Sequence, residues 1–258
     1  MSTILFEIQD NVAVIKMNRP EVFNSFNREM ALEMIKRLDE CEENDEVRAI
    51  YITGEGKAFC AGQDLAEAVS PEGTDFEKLV SEQYNPIIGR LRNIEKPIVG
   101  AVNGVAAGAG ANIALACDIC VATESASFIQ AFSKIGLIPD SGGTFTLPRL
   151  IGMQKAAALA MLGEKVMAEE AERIGMIYKY FSDESFSEES IKLASKLAKM
   201  PTKGIGLTKR AFNLSMISDL DTQLKTELEL QAMAGETHDY NEGVAAFLEK
   251  RKPEFKGR

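Results

Sequence analysis

Two periodicities alternate along the first half of this chain. Residues 12–17 (VAVIKM) and 47–53 (VRAIYIT) are short runs rich in β-branched side chains, the signature of strands. Between them Ala31, Met34, Ile35 and Leu38 recur at helical spacing behind Asn27, a good N-cap. Segment 75–94 repeats that spacing, with Phe76, Leu79, Val80, Tyr84, Ile87 and Leu91 on one stripe. Pro86 lies inside it and predicts a kink or a split. Residues 97–102 (PIVGAV) read as a fully apolar strand, and 103–117 pass from a glycine-rich turn into a small-residue helix. Residues 118–123 (DICVAT) return to strand. Strand, crossover and strand at this spacing predict βαβ units, a parallel sheet and an α/β class. Past about residue 145 strand signals fade. Helical patterns then cover MAEEAERIGM, FSEESIKLASKLAKM, TKGIGLTKRAFNLSM, LDTQLKTELELQAMAGE and NEGVAAFLEKRKPEF. With no repeat and no low-complexity linker, the division is a core over 1–200 and a helical region over 201–258, a cap or assembly surface.

Composition narrows the classes. The 258 residues are 45% hydrophobic and 26% charged, enough for a large core. A net charge of -10 disfavours nucleic acid and anionic membranes as partners. It leaves room for a local basic patch toward an anionic cofactor. No basic-then-apolar leader opens the chain, and no run of about 18 apolar residues occurs, so a cytoplasmic location is expected. Cys117 and Cys120 form a CxxC, but apolar neighbours and the lack of a second pair favour buried thiols over zinc. The single histidine, His238, reads as a surface loop residue. One histidine makes classical triads and His-rich metal sites poor fits.

Two loops carry candidate chemistry. Residues 104–113 resemble a dinucleotide fingerprint only in part: Gly108 and Gly110 are present, but Ile113 replaces the last glycine, and no Walker lysine follows. Small residues at 106–111 opening a helix instead offer unpaired N–H groups to a ligand that approaches closely. The loop 55–65 (EGKAFCAGQDL) follows a strand in the same way. One donor from each loop would hold the oxygen of a thioester carbonyl as it becomes an enolate. A lone carboxylate, Asp140, sits after Phe132, Ile135, Leu137 and Ile138 and before Ser141-Gly142-Gly143. Two readings stand for it: an N-cap or Asx-turn residue, or a proton carrier.

Four segments together resemble the crotonase, or enoyl-CoA hydratase/isomerase, superfamily. They are MNRPEVFNSFN, GKAFCAGQDL, KPIVGAVNGVAAGAGANIALACD and SKIGLIPDSGGTFTLPRLIG, in family order and spanning most of the chain. FLEKRKPEFKG also resembles the family's C-terminal helix. The resemblance implies a spiral of ββα units followed by a helical trimerisation region, giving a homotrimer or a dimer of trimers. It implies an acyl-CoA substrate, with coenzyme A entering as part of that substrate and no separate cofactor or metal. It places the oxyanion donors at the amides of Gln63 and Ala109, and the CoA contacts around Val22, Asn24, Ala61, Asp64 and Leu65. Where hydratases of the family carry two glutamates, this chain has Asn112 and Phe132, neither able to exchange a proton. Asp140 matches the base of isomerases and the nucleophile of a dehalogenase in the family. The stretch 132–149 resembles most the isomerases of epoxidised aromatic acetyl thioesters. Asn112 is then expected to orient Asp140 or to bond the substrate. Ile129, Phe132 and Phe145 are candidates for an apolar acyl pocket. A covalent, dehalogenase-like role for Asp140 is disfavoured, because no Trp occurs and the only His is distant in sequence. A weak hydratase, or a non-catalytic acyl-CoA or RNA-binding homologue, remain the other classes.

Overall fold

A computed structural model describes residues 2–68 and 75–258. Its strands are β1 (Ile4–Gln9), β2 (Val12–Met17), β3 (Ala49–Gly54), β4 (Ala58–Cys60), β5 (Ile98–Val102), β6 (Val105–Ala107), β7 (Ile119–Thr123), β8 (Ser127–Ile129), β9 (Lys165–Met167) and β10 (Lys179–Phe181). They form a six-stranded sheet in the order β1-β2-β3-β5-β7-β10 and a four-stranded sheet in the order β4-β6-β8-β9. The pairs β3/β4, β5/β6 and β7/β8 each give one strand to the large sheet and the next to the small one. That is the ββα spiral. In the large sheet only the β1–β2 pair is antiparallel.

The long strands are apolar because both faces are covered. Val12, Val14, Ala49, Tyr51, Val99 and Ala101 pack on one face against Phe186, Ala194 and Ala198. Their neighbours Ala13, Ile15, Ile50, Ile52, Ile98 and Val102 pack on the other. The helices that cover that second face include α1 (Arg28–Glu43), whose N-cap Asn27 accepts from the Met30 amide as expected. The short α2 (Leu65–Ala68) and α3 (Phe76–Leu79) precede α4 (Asn85–Asn93) and α5 (Ala109–Ala116). Then come α6 (Gly143–Ile151), α7 (Met153–Leu162), α8 (Ala168–Arg173), α9 (Phe186–Ala198), α10 (Thr202–Ser215), α11 (Leu220–Gly235) and α12 (His238–Glu249).

The structure agrees with the sequence reading at Pro86 and departs from it elsewhere. The segment 75–94 is divided as Pro86 predicts: a π-helical turn, Val80–Tyr84, separates α3 from α4, and Pro86 lies in the first turn of α4. The proline ring would strike the carbonyl of residue 82 in a regular α-helix, and the wide turn relieves that clash. Phe76 stands exposed rather than on the buried stripe. Two strands, β9 and β10, follow residue 145, as do the unforeseen α6 and α7. The final helix ends at Glu249, and the tail folds back: Arg48 Nη1 donates to the Phe255 carbonyl at 2.9 Å. His238 opens α12 instead of lying in a loop, with Nδ1 3.0 Å from Asp239 Oδ1. The four cysteines are free and buried, and burial pushes the thiols of Cys41, Cys60 and Cys117 up to about 12. No helix among the described residues is long and apolar enough to cross a membrane.

Candidate active site

The two glycine-bearing loops meet. The backbone of Phe26 brackets Gln63, accepting from Asp64 N at 2.8 Å while Phe26 N donates to the Gly62 carbonyl at 2.7 Å. A β-carbon on Gly62 would stand 3.6 Å from Ala109 N, so the loop before Gln63 lies against the start of α5. Gly108 caps that helix with φ +53° and ψ -127°, a conformation open to glycine, and its amide donates to Ile129 O at 2.9 Å. Among the described residues neither Gln63 N nor Ala109 N has a protein acceptor. Two adjacent, preorganised donors are the arrangement that holds a developing oxyanion.

Asp140 is tied to the same helix. Asn112 follows Ala109 by three residues, which puts both on one face of α5. Its Nδ2 donates to the Asp140 carbonyl at 2.8 Å, and its Oδ1 accepts from Gln130 Nε2 at 2.8 Å. The Asp140 carbonyl, which can only accept, fixes which way the Asn112 amide points, and Gln130 turns its own amide nitrogen to Asn112 Oδ1 in response. Asn112 is 1% exposed, and its amide is spent on the Asp140 carbonyl and Gln130. The turn after Asp140 is built by its backbone: Gly143 N donates to the Asp140 carbonyl at 2.8 Å, and α6 is capped by Gly142 without a side-chain bond. The carboxylate takes no part in that cap. Its Oδ1 accepts from Ser141 Oγ at 2.9 Å, and Ser141 is held at φ +51°, left-handed and strained for a non-glycine. Burial raises the Asp140 pKa above the ordinary carboxylate range, and the bonds from Ser141 and its own amide oppose the rise. An ionised carboxylate so placed is a stronger base than a solvated aspartate, which favours taking a proton from carbon.

Gly143 is needed for this approach, because a β-carbon there would overlap the Asn112 amide. Gly143→Ala is therefore expected to swing Asn112 away and release the Asp140 carbonyl. Turnover of an acyl-CoA substrate should fall about 10-fold with Asp140 misplaced by less than an ångström. Steady-state kinetics beside a thermal melt measure it, and unchanged kcat would mean that Asn112 does not orient Asp140.

The expected CoA contacts fall on one surface with one exception. Ala61 and Leu65 are exposed and Val22 is half-buried. Asp64 pairs with Arg19 at 2.9 Å and caps α2 through Ala66 N at 3.1 Å. Asn24 is fully buried, and its side chain is spent on Arg19 N, Glu55 O and Ala58 O. It presents no surface to a ligand and instead shapes the loop that carries Val22. Sequence reasoning missed Gln130, Ser141 and the hydroxyl of Tyr84, each defined by a partner distant in the chain or by a backbone angle. Phe132 is buried, with its ring 3.8 Å from where a Gly108 β-carbon would lie, and Phe145 is exposed on α6.

With this fold and site, the chain belongs to the enoyl-CoA hydratase/isomerase family, whose profile matches residues 7–258. It is 47% identical to a 1,2-epoxyphenylacetyl-CoA isomerase of Escherichia coli K12, with both chains covered in full. It is 37% identical to a trans-2-decenoyl-[acyl-carrier-protein] isomerase of Streptococcus mutans, covering 99% of this chain and 98% of that one. The crystal structure of an enoyl-CoA hydratase from Bacillus anthracis superposes with a TM-score of 0.92 at 33% identity, covering 99% of this chain and all of the other. The relatives' names are thus divided between isomerases and hydratases. The family and fold expected from the sequence are those found.

Proposed function

We propose that this enzyme is an acyl-CoA isomerase that shifts a double bond through a thioester enolate. Its substrate on this reading is 2-(1,2-epoxy-1,2-dihydrophenyl)acetyl-CoA, and its product is the oxepin-CoA of phenylacetate degradation. The observation that carries the reaction type is the Asp140 carboxylate, left out of the turn while the backbone carbonyl of the same residue is tied through Asn112 to the donor helix. The ring C–C bond shared with the epoxide breaks in an electrocyclic opening that gives the seven-membered oxepin with no atom gained or lost, and Asp140 takes a proton from the carbon next to the thioester. The electrons move into the carbonyl, and the resulting oxyanion is held by Gln63 N–H and Ala109 N–H. The same carboxyl returns the proton further along the conjugated system, and the carbonyl re-forms. Atoms and charge balance with no cofactor, because coenzyme A arrives on the substrate. Hydration would need one group to activate water and another to protonate carbon, and Asn112 and Phe132 supply neither. The 47% identical isomerase supports the choice of acyl group.

A trans-3-enoyl-CoA and crotonyl-CoA, followed separately by absorbance, test the reaction type. Conjugation of the first without comparable hydration of the second is expected; crotonyl-CoA hydration that outpaces isomerisation would contradict it. The pH dependence follows from Asp140: kcat/KM should rise with pH through a limb above the ordinary aspartate range, because only the ionised base accepts a proton. A limb at the ordinary aspartate pKa, or one retained by a variant without this acid, would show another group at work.

We further propose a cytoplasmic homotrimer or dimer of trimers, with no nucleic-acid or membrane partner. Leu220, Leu224 and Leu228 form an exposed stripe along α11, and Phe247 and Leu248 are exposed on α12. Light scattering should give three or six chain masses; a monomer would contradict the assembly.

A further inference from the structure

We propose that Tyr84 is a positioning residue that holds the Gln63 oxyanion donor in place, an inference that rests on the enolate chemistry above. Tyr84 is fully buried. Its hydroxyl donates to Gln63 Oε1 at 2.7 Å. The other end of the same amide, Nε2, lies 3.4 Å from Glu67 Oε2, and Glu67 accepts from Arg28 N at 3.1 Å. A carboxylate only accepts here, so it fixes the amide nitrogen toward Glu67 and the amide oxygen toward Tyr84. The phenol must therefore stay protonated. Burial, with Cys60, Asp140 and Glu67 nearby, raises its pKa well above the usual value and keeps it so.

The tyrosine ring also packs edge-on against Phe26, 6.0 Å between centroids, and Phe26 is the residue that brackets the Gln63 peptide. Gln63 is thus held by backbone on one side and by its side chain on the other. The π-helical turn at Val80–Tyr84 makes this possible, because its extra residue turns Gln83 and Tyr84 inward together. Such turns recur at functional sites. A donor fixed before charge develops needs no reorganisation during the reaction, which is where oxyanion stabilisation gains its size.

Tyr84→Phe keeps the ring contact and removes only the hydroxyl. The kcat for trans-3-hexenoyl-CoA isomerisation should fall about 10-fold, less than loss of a whole donor, with KM within about two-fold. The red shift of bound cinnamoyl-CoA, which reports polarisation of the thioester carbonyl, should shrink. Gln63→Met should lose as much, and the double variant no more, since both cut one bond. Additive losses, a change confined to KM or melting temperature, or an unchanged red shift would overturn the proposal. Asp140→Asn separates the two claims. It should end turnover and leave the red shift intact; full turnover there would sink the isomerase reading while the spectral test of Tyr84 stands.

Discussion

Asp140→Asn is expected to cut isomerase turnover by at least about 10³-fold, within the range for loss of a general base, and to raise the melting temperature. The variant keeps the shape of the side chain and an acceptor for Ser141 Oγ, which bonds the native carboxylate at 2.9 Å. It keeps the backbone turn, since that turn uses the Asp140 carbonyl. What it loses is the capacity to take a proton from carbon and give it back. The gain in stability follows from the same burial. Burial raises the pKa of Asp140 in the folded chain, so the folded state binds its proton more tightly than the unfolded state. The group's contribution to stability is full below the ordinary carboxylate pKa and falls as pH rises through the raised one. At neutral pH the ionised carboxylate therefore works against the fold, and a neutral amide removes that cost. A gain in stability coupled to loss of activity is the usual mark of a functional group held in an unfavourable place. If Asp140→Asn melted lower at neutral pH and stayed active, the residue would be a turn element after all.

Gly108→Ala should lower kcat/KM by about 10²-fold, the scale set by one oxyanion donor, with a loss in stability of about 1–3 kcal/mol. The site has room for a methyl group, with the nearest atom of the Phe132 ring 3.8 Å away. The difficulty is the backbone, at φ +53° and ψ -127°, where an L-residue meets its own carbonyl and amide. The turn must relax, and the peptide that follows is the one that bears Ala109 N–H. Relaxation therefore rotates the donor away from the oxygen it serves. Binding of a ground-state thioester should change little, because that carbonyl carries only partial charge. Activity within about three-fold of the parent would place the second donor elsewhere.

These residues show how far the chain could be read in advance. The long apolar strands and the helix behind Asn27 were legible because burial on both faces, or on one helical stripe, leaves a periodic trace. Strands such as β4, β6 and β8 have three residues each, too few for any period to register, so the small sheet was invisible although the ββα spiral could be inferred by resemblance. The π-helical turn hides for a related reason: a stripe drawn at 3.6 residues passes through Tyr84 with or without the extra residue. Asp140 was legible as an acid in an apolar stretch, but turn and base look alike until one sees whether the carbonyl or the carboxylate meets Gly143 N. Asn112 was legible as a missing acid, not as the group that bonds the Asp140 carbonyl, because that contact spans 28 residues. Asn24 marks the opposite error. It lies in a loop of the expected ligand surface, yet its polar atoms are all turned inward to backbone groups.

The central claim is that one carboxylate carries one proton from the α- to the γ-carbon of the acyl chain. A single-turnover reaction with trans-3-hexenoyl-CoA deuterated at C2, with the product read by mass spectrometry and proton NMR, tests it directly. Part of the deuterium should reappear at C4, delivered by Asp140 before solvent exchange is complete. Product whose C4 hydrogen comes wholly from solvent, formed at the same rate by Asp140→Asn, would contradict the account.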